Sequence, residues 1–233
     1  MAPRGASIHW RGHVFLFDRK RAPAYDAAAG LRLLLIFVLL EFVLGPRLSL
    51  FQYLGVPIPP FWVRIPVFLG LALLLVRFVA KVRLSDIGLD RWRAWSGTEK
   101  SYFVQLLIIS NVVFLMMTAD RVKAIGSEPG RLLLLPAFLL WGFYQELMYR
   151  GILQTELVRR WGALAGILVS NTLFTFGPLH LYHFARGASA LPMFAGIFAM
   201  GLFFGVLFHR SGNLWLVGIA HGIGNVYIEG TAR

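Results

Sequence analysis

The chain has 233 residues, 58% of them hydrophobic and only 15% charged, with no cysteine and a formal net charge of +12. Ordinary soluble domains carry roughly a quarter charged residues, so this composition excludes one and points to a membrane protein. The absence of Cys excludes disulfides, thiolate metal sites, a Cys nucleophile and lipidation on Cys.

The basic residues stand at the ends of apolar runs. That pattern sets orientation against a membrane surface and does not argue for nucleic acid. Residues 1–26 carry Arg4, Arg11, Arg19, Lys20 and Arg21 without a compact apolar core, so they read as a basic cytoplasmic segment and not as a cleaved signal. Residues 27–233 read as one integral membrane domain, an all-α polytopic helical bundle with about seven transmembrane helices.

The first predicted span is 27–44, closed by Gly45 and Pro46, and it carries Glu41. The second is 61–80, with Arg64 near its start at a depth similar to Glu41, so a Glu41–Arg64 pair accounts for both residues. The polar stretch 85–100 holds Trp92 and Trp95 and reads as an interfacial loop or short amphipathic helix. The third span is 102–117, followed by a polar loop over 120–131.

The fourth span, from Pro136 to Val158, contains Gln145, Glu146 and Arg150. Glu146 and Arg150 are four apart, so they share one helix face within pairing reach. Ionisable groups at membrane depth are costly and mark a working site, although a pair can also serve only to lock helices. The fifth span is 163–184, with Asn171, His180 and His183. The sixth, 191–208, is rich in Phe and carries Gly196, Gly201 and Gly205, which allow close helix approach. The seventh, 213–228, carries His221 and Asn225 on one face, with Gly222 and Gly224 thinning the helix enough for a substrate backbone to approach.

Depth tests whether these polar groups meet. At ~1.5 Å per residue and a core of ~30 Å, Glu146, His180, His221 and Asn225 spread over about 13 Å, a gap that tilted or offset helices can bridge. The positive-inside rule places the N-terminus, 81–100, Arg159, Arg160 and Arg210 in the cytoplasm and the loop at Gly126 outside.

Three short motifs give the chain a resemblance. Gln145-Glu146-Leu147-Met148-Tyr149-Arg150, Phe176-Gly177-Pro178-Leu179-His180 and His221-Gly222-Ile223-Gly224-Asn225 resemble, in order, the three motifs of the CAAX-protease and bacteriocin-processing (CPBP) family of intramembrane glutamic endopeptidases. The likeness covers about residues 132–226. It implies a protease in which a motif carboxylate, assisted by the second-motif His180, activates water. His221 and Asn225 would hold the oxyanion, and Arg150 would orient the carboxylate. A buried Glu suits a general base and a side-chain amide suits an oxyanion donor.

One position departs from the pattern. The family has two adjacent glutamates where this chain has Gln145 and Glu146, and an amide cannot serve as a general base. Glu146, His180, His221 and Asn225 are therefore the expected catalytic set, with Gln145 and Arg150 supporting. The rival is a non-catalytic membrane binding or chaperone-like relative. Zinc on Glu146, His180, His183 and His221 is a further alternative, but Arg150 and Asn225 fit a metal-free site better, so no metal or cofactor is expected. The expected partners are the lipid bilayer and a membrane-associated protein or peptide substrate, with no nucleic acid, in a bacterial plasma membrane.

Overall fold

The computed structural model describes residues 23–45, 53–55, 57–125 and 129–231. Most of the expected cytoplasmic segment, Pro46 at the end of the first span, and Gly126 lie outside the described residues. Among the described residues all regular structure is helical.

Helix α1 spans Ala27–Val38 and starts where the Asp26 carboxylate accepts the Ala29 N–H at 2.7 Å. It continues as a wide π turn over Leu39–Val43. Helix α2, Phe61–Leu74, starts after Pro60 and also widens at its end, over Leu75–Val79. The 85–100 stretch folds as two short 3₁₀ turns, Leu84–Ile87 and Trp92–Ala94, with Trp95 buried and Trp92 exposed. Ser96 and Glu99 then form a reciprocal cap, the carboxylate accepting the Ser96 N–H at 2.7 Å and the hydroxyl accepting the Glu99 N–H at 3.1 Å.

That cap launches α3, Gly97–Ile125, kinked at Thr118. The helix therefore runs through 120–125, which the sequence presents as loop. The Thr118 hydroxyl donates to the Phe114 carbonyl at 2.7 Å, a back-bond that bends helices without ending them. Helix α4, Leu135–Glu146, runs into a wide π segment, Leu147–Gln154, and then into α5, Thr155–Phe176, broken at Gly162 with φ of 81°. A 3₁₀ stretch, Leu181–Ala190, leads into α6, Leu191–Ser211, which Gly212 ends in the left-handed conformation. Asn213 caps α7, Leu214–Ile228, accepting the Trp215 N–H at 3.0 Å.

The expectation of seven spans is met only in part. Among the described residues three helical stretches are long and apolar enough to cross a bilayer, Phe61–Val79, Gly97–Ala124 and Leu181–Ser211, with Leu214–Ile228 apolar but shorter. The motif helix is different in kind. Every residue from Trp141 to Leu157 is buried, so neighbouring helices surround it and lipid does not touch it. Outward apolar side chains such as Phe78, Met116 and Leu133 are two-thirds or more exposed, as a lipid-facing surface requires. The protein is an integral membrane protein.

Helices α4 and α7 cross closely enough that a Cβ on Gly142 would lie 2.5 Å from the Gly222 nitrogen. Gly222 and Gly224 are thus used for packing, against Leu139 and the Phe114 ring, and not for admitting a substrate strand. Gly201 and Gly205 of α6 face the polar side chains of Arg150, Asn171 and Gln154, whereas Gly196 faces open space.

Candidate functional site

The site lies where the end of α4, the turn after α5 and α7 meet. Glu146, at the last position of α4, is fully buried. Its Oε1 lies 2.7 Å from Nδ1 of His221, and its Oε2 lies 3.3 Å from Nε of Arg150. The helical i, i+4 pair expected from sequence is therefore present, and α7 supplies a second partner. Arg150 also donates from Nη2 to the Gly201 carbonyl at 2.9 Å, which ties the motif helix to α6. An Arg can do both because its donors fan out in a plane.

Gln145 points elsewhere, as its ~100° offset from Glu146 on a helix requires. Its Oε1 accepts from Nδ2 of Asn225 at 3.1 Å, so the two adjacent motif residues engage the two polar residues of α7 separately. An amide suits this dry place because it accepts without carrying charge.

His180 is brought in differently from the expectation of a helix through residue 184. Helix α5 stops at Phe176 because Gly177 is extended, with ψ of −165°, and Pro178 follows it. A residue before proline is sterically driven out of the helical region, and proline offers no N–H. The chain turns there, and His180 Nδ1 lies 2.7 Å from the Phe174 carbonyl. A carbonyl only accepts, so Nδ1 carries a proton. His180 joins the site through the Phe174 ring, whose centroid is 5.2 Å from that of His180 and 5.8 Å from that of His221. The Arg150 guanidinium stacks 4.8 Å from the same ring. Phe204 closes the other face of His221, with centroids 5.6 Å apart.

Phe174, Gln154 and Asn171 are site residues that the motif reading passed over. Gln154 donates to the Gly205 carbonyl at 2.8 Å and Asn171 to the Phe198 carbonyl at 2.9 Å, both holding α6. Gln154 was legible, since it continues the Glu146, Arg150 series by another four positions. Phe174 was not, because aromatic residues abound in this chain. The Glu41–Arg64 pair does not describe Glu41. Its two oxygens accept from the hydroxyls of Tyr144 at 2.9 Å and Tyr149 at 3.1 Å. The Glu146, His180, His183 and His221 zinc set has no counterpart in the geometry: among the described residues no group of three or more His, Asp or Glu is placed to hold a metal ion.

Comparison with known proteins meets this geometry at the same residues. The family described as type II CAAX prenyl endopeptidase Rce1-like matches residues 127–227, which contain all three motifs. No curated protein and no solved structure matches the chain. Residues 127–227 thus match the model of the CAAX-protease family that the three motifs indicate.

Proposed function

We propose that the protein is an intramembrane endopeptidase that hydrolyses a peptide bond of a membrane-associated protein or peptide. The observation that carries this reading is the dry Glu146 carboxylate, shared between Arg150 and His221 Nδ1. Burying a charge and pairing it on both oxygens is costly in stability terms, and such an arrangement is common at working sites.

Glu146 is fully buried, whereas the His221 side chain is 15% exposed. The carboxylate therefore acts through the imidazole and not on water directly, so His221 takes the part of the base in place of the oxyanion role that the resemblance implies. With Nδ1 donating to Glu146, Nε2 of His221 holds a lone pair and takes a proton from water as its oxygen attacks the peptide carbonyl. Asn225 spends one N–H on Gln145, and its second N–H is free to hold the oxyanion. His180, set across the Phe174 ring from His221, helps to seat that water. Collapse of the tetrahedral intermediate returns the His221 proton to the departing amine. Arg150 keeps the Glu146 carboxylate oriented throughout.

Residues 27–233 act in this reading as one membrane domain, with the N-terminus in the cytoplasm of a bacterial cell. The test compares wild type, Glu146→Gln and Gln145→Glu on one substrate in reconstituted membranes. Cleavage by wild type and loss in Glu146→Gln are expected. Wild-type silence together with cleavage by Gln145→Glu would replace this reading with that of a non-catalytic relative.

A further inference from the structure

Glu41 is a fully buried carboxylate that the mechanism above does not use. It comes from α1, outside the region of the three motifs, and both of its oxygens are taken by tyrosines that bracket the acidic motif. Tyr144 immediately precedes Gln145, and Tyr149 immediately precedes Arg150.

The spacing of these tyrosines is informative. Residues five apart on a regular α-helix stand about 140° apart around its axis, given ~3.6 residues per turn. Tyr144 and Tyr149 nevertheless reach the same carboxylate, and the segment between and beyond them, Leu147–Gln154, is a π helix. Wide i, i+5 turns are frequent at functional sites. Glu41 itself lies in the matching wide turn Leu39–Val43. The carboxylate thus rewards the widened register of the motif helix, which an α register would break. The Thr155 hydroxyl adds a bond of 3.1 Å to the Arg150 carbonyl at the other end of the segment.

That register reaches the reacting groups through one contact. The Tyr149 ring stands edge-on to Phe174, with centroids 5.3 Å apart, and Phe174 is the ring on which His180, His221 and Arg150 converge. The Tyr149 carbonyl also accepts from the Ser170 hydroxyl at 2.7 Å, which fixes α5 against the same turn.

We infer that Glu41 is a positioning residue: through Tyr144 and Tyr149 it holds the wide register of the motif helix, and through Phe174 it sets where His180 and His221 stand. The inference rests on the proposed endopeptidase reading for its kinetic consequences. Glu41 touches neither substrate nor reacting atoms, so its loss should act on kcat and leave KM unchanged.

The experiment uses the full chain in reconstituted membranes, with Glu41→Ala, Glu41→Gln, Tyr149→Phe and the Glu41→Ala, Tyr149→Phe double variant. Misplacing reacting groups by about 1 Å can cost 10²-fold in rate, so Glu41→Ala should lower kcat by about 10- to 100-fold with KM within about twofold. Glu41→Gln keeps an acceptor oxygen for one hydroxyl and a donor for the other, and should recover kcat to within about threefold of wild type. The double variant should be no slower than the slower single variant, since both break one linkage. Unchanged kcat in Glu41→Ala, failure of Glu41→Gln to rescue it, or multiplying effects in the double variant would each overturn the inference. A wild type that cleaves nothing would defeat the proposed function instead. Glu41 is then judged on the imidazole resonances of His180 and His221, which Glu41→Ala must shift and Glu41→Gln must leave in place; resonances that ignore Glu41→Ala overturn it.

Discussion

Replacing Glu146 by Gln keeps the size of the side chain and removes its charge. His221 then loses the partner that fixes its tautomer, and Arg150 is left as an uncompensated buried cation. Cleavage should fall by about 10²- to 10⁴-fold, the range that a general base contributes, measured as turnover in reconstituted membranes. Cleavage that survives the change would remove Glu146 from the mechanism. Gln145→Glu should be neutral or harmful to wild-type activity. It places a second carboxylate beside the first, where Gln145 now accepts only the neutral Asn225 amide. Asn225→Ala leaves the Gln145 oxygen without that donor, at a cost of about 1–3 kcal/mol if it stays dry. If Asn225 also holds the oxyanion, activity should fall by more than the fraction unfolded, which thermal denaturation in detergent together with kinetics separates.

Helix packing explains why small residues recur around the site. Gly142 and Gly222 meet backbone to backbone where α4 crosses α7, and that crossing sets the reach between Glu146 and His221. Gly142→Ala or Gly222→Ala inserts a methyl into backbone and not into a flexible side chain. Each should destabilise by about 1–3 kcal/mol or more, read as a lowered Tm in detergent. Gly201→Ala tests a different contact. Its methyl would meet the Asn171 amide and come within 3.0 Å of Arg150 Nη2, so it should weaken the site with a smaller loss of Tm, because side chains yield more readily than backbone. Equal Tm losses in all three variants would contradict this distinction.

Across the whole molecule, the helix ends rich in Lys and Arg gather at one side. Arg32 of α1 donates to the carbonyl of Val79 near the end of α2, Gly88 accepts from Leu214 at the start of α7, and Asn213 donates to Glu99 at the start of α3. Arg159 lies over the Tyr25 ring at the same end. Helix α3, with 29 residues, is long enough to carry the chain to the opposite face. Labels at Arg91 and Arg160 should therefore report the same compartment, and a label at Lys123 the other. The positive-inside rule predicts that the shared compartment is the cytoplasm. Thiol labelling of single-Cys variants checks this in a background that has no native cysteine. Opposite compartments for Arg91 and Arg160 would overturn the topology.

The sequence by itself determined the membrane class, the helical architecture and the identity of the polar residues at its centre. It could do so because hydrophobic length, basic flanks and the i, i+4 relation of Glu146 to Arg150 are local properties, readable without knowing what lies opposite. The break after Phe176 was local too, written in Gly177 and Pro178, yet an apolar run through residue 184 concealed it. Only the tertiary structure decided the pairings. Glu146 takes His221 while Gln145 takes Asn225, a sorting fixed by how α4 rotates against α7 at the Gly142–Gly222 crossing. Glu41 takes two tyrosines because a wide turn, which no sequence period announces, brings both hydroxyls to one dry carboxylate. In a medium without water a buried polar group is costly unless it finds a partner within the protein. The sequence states that requirement, and the packing of the helices determines which partner meets it.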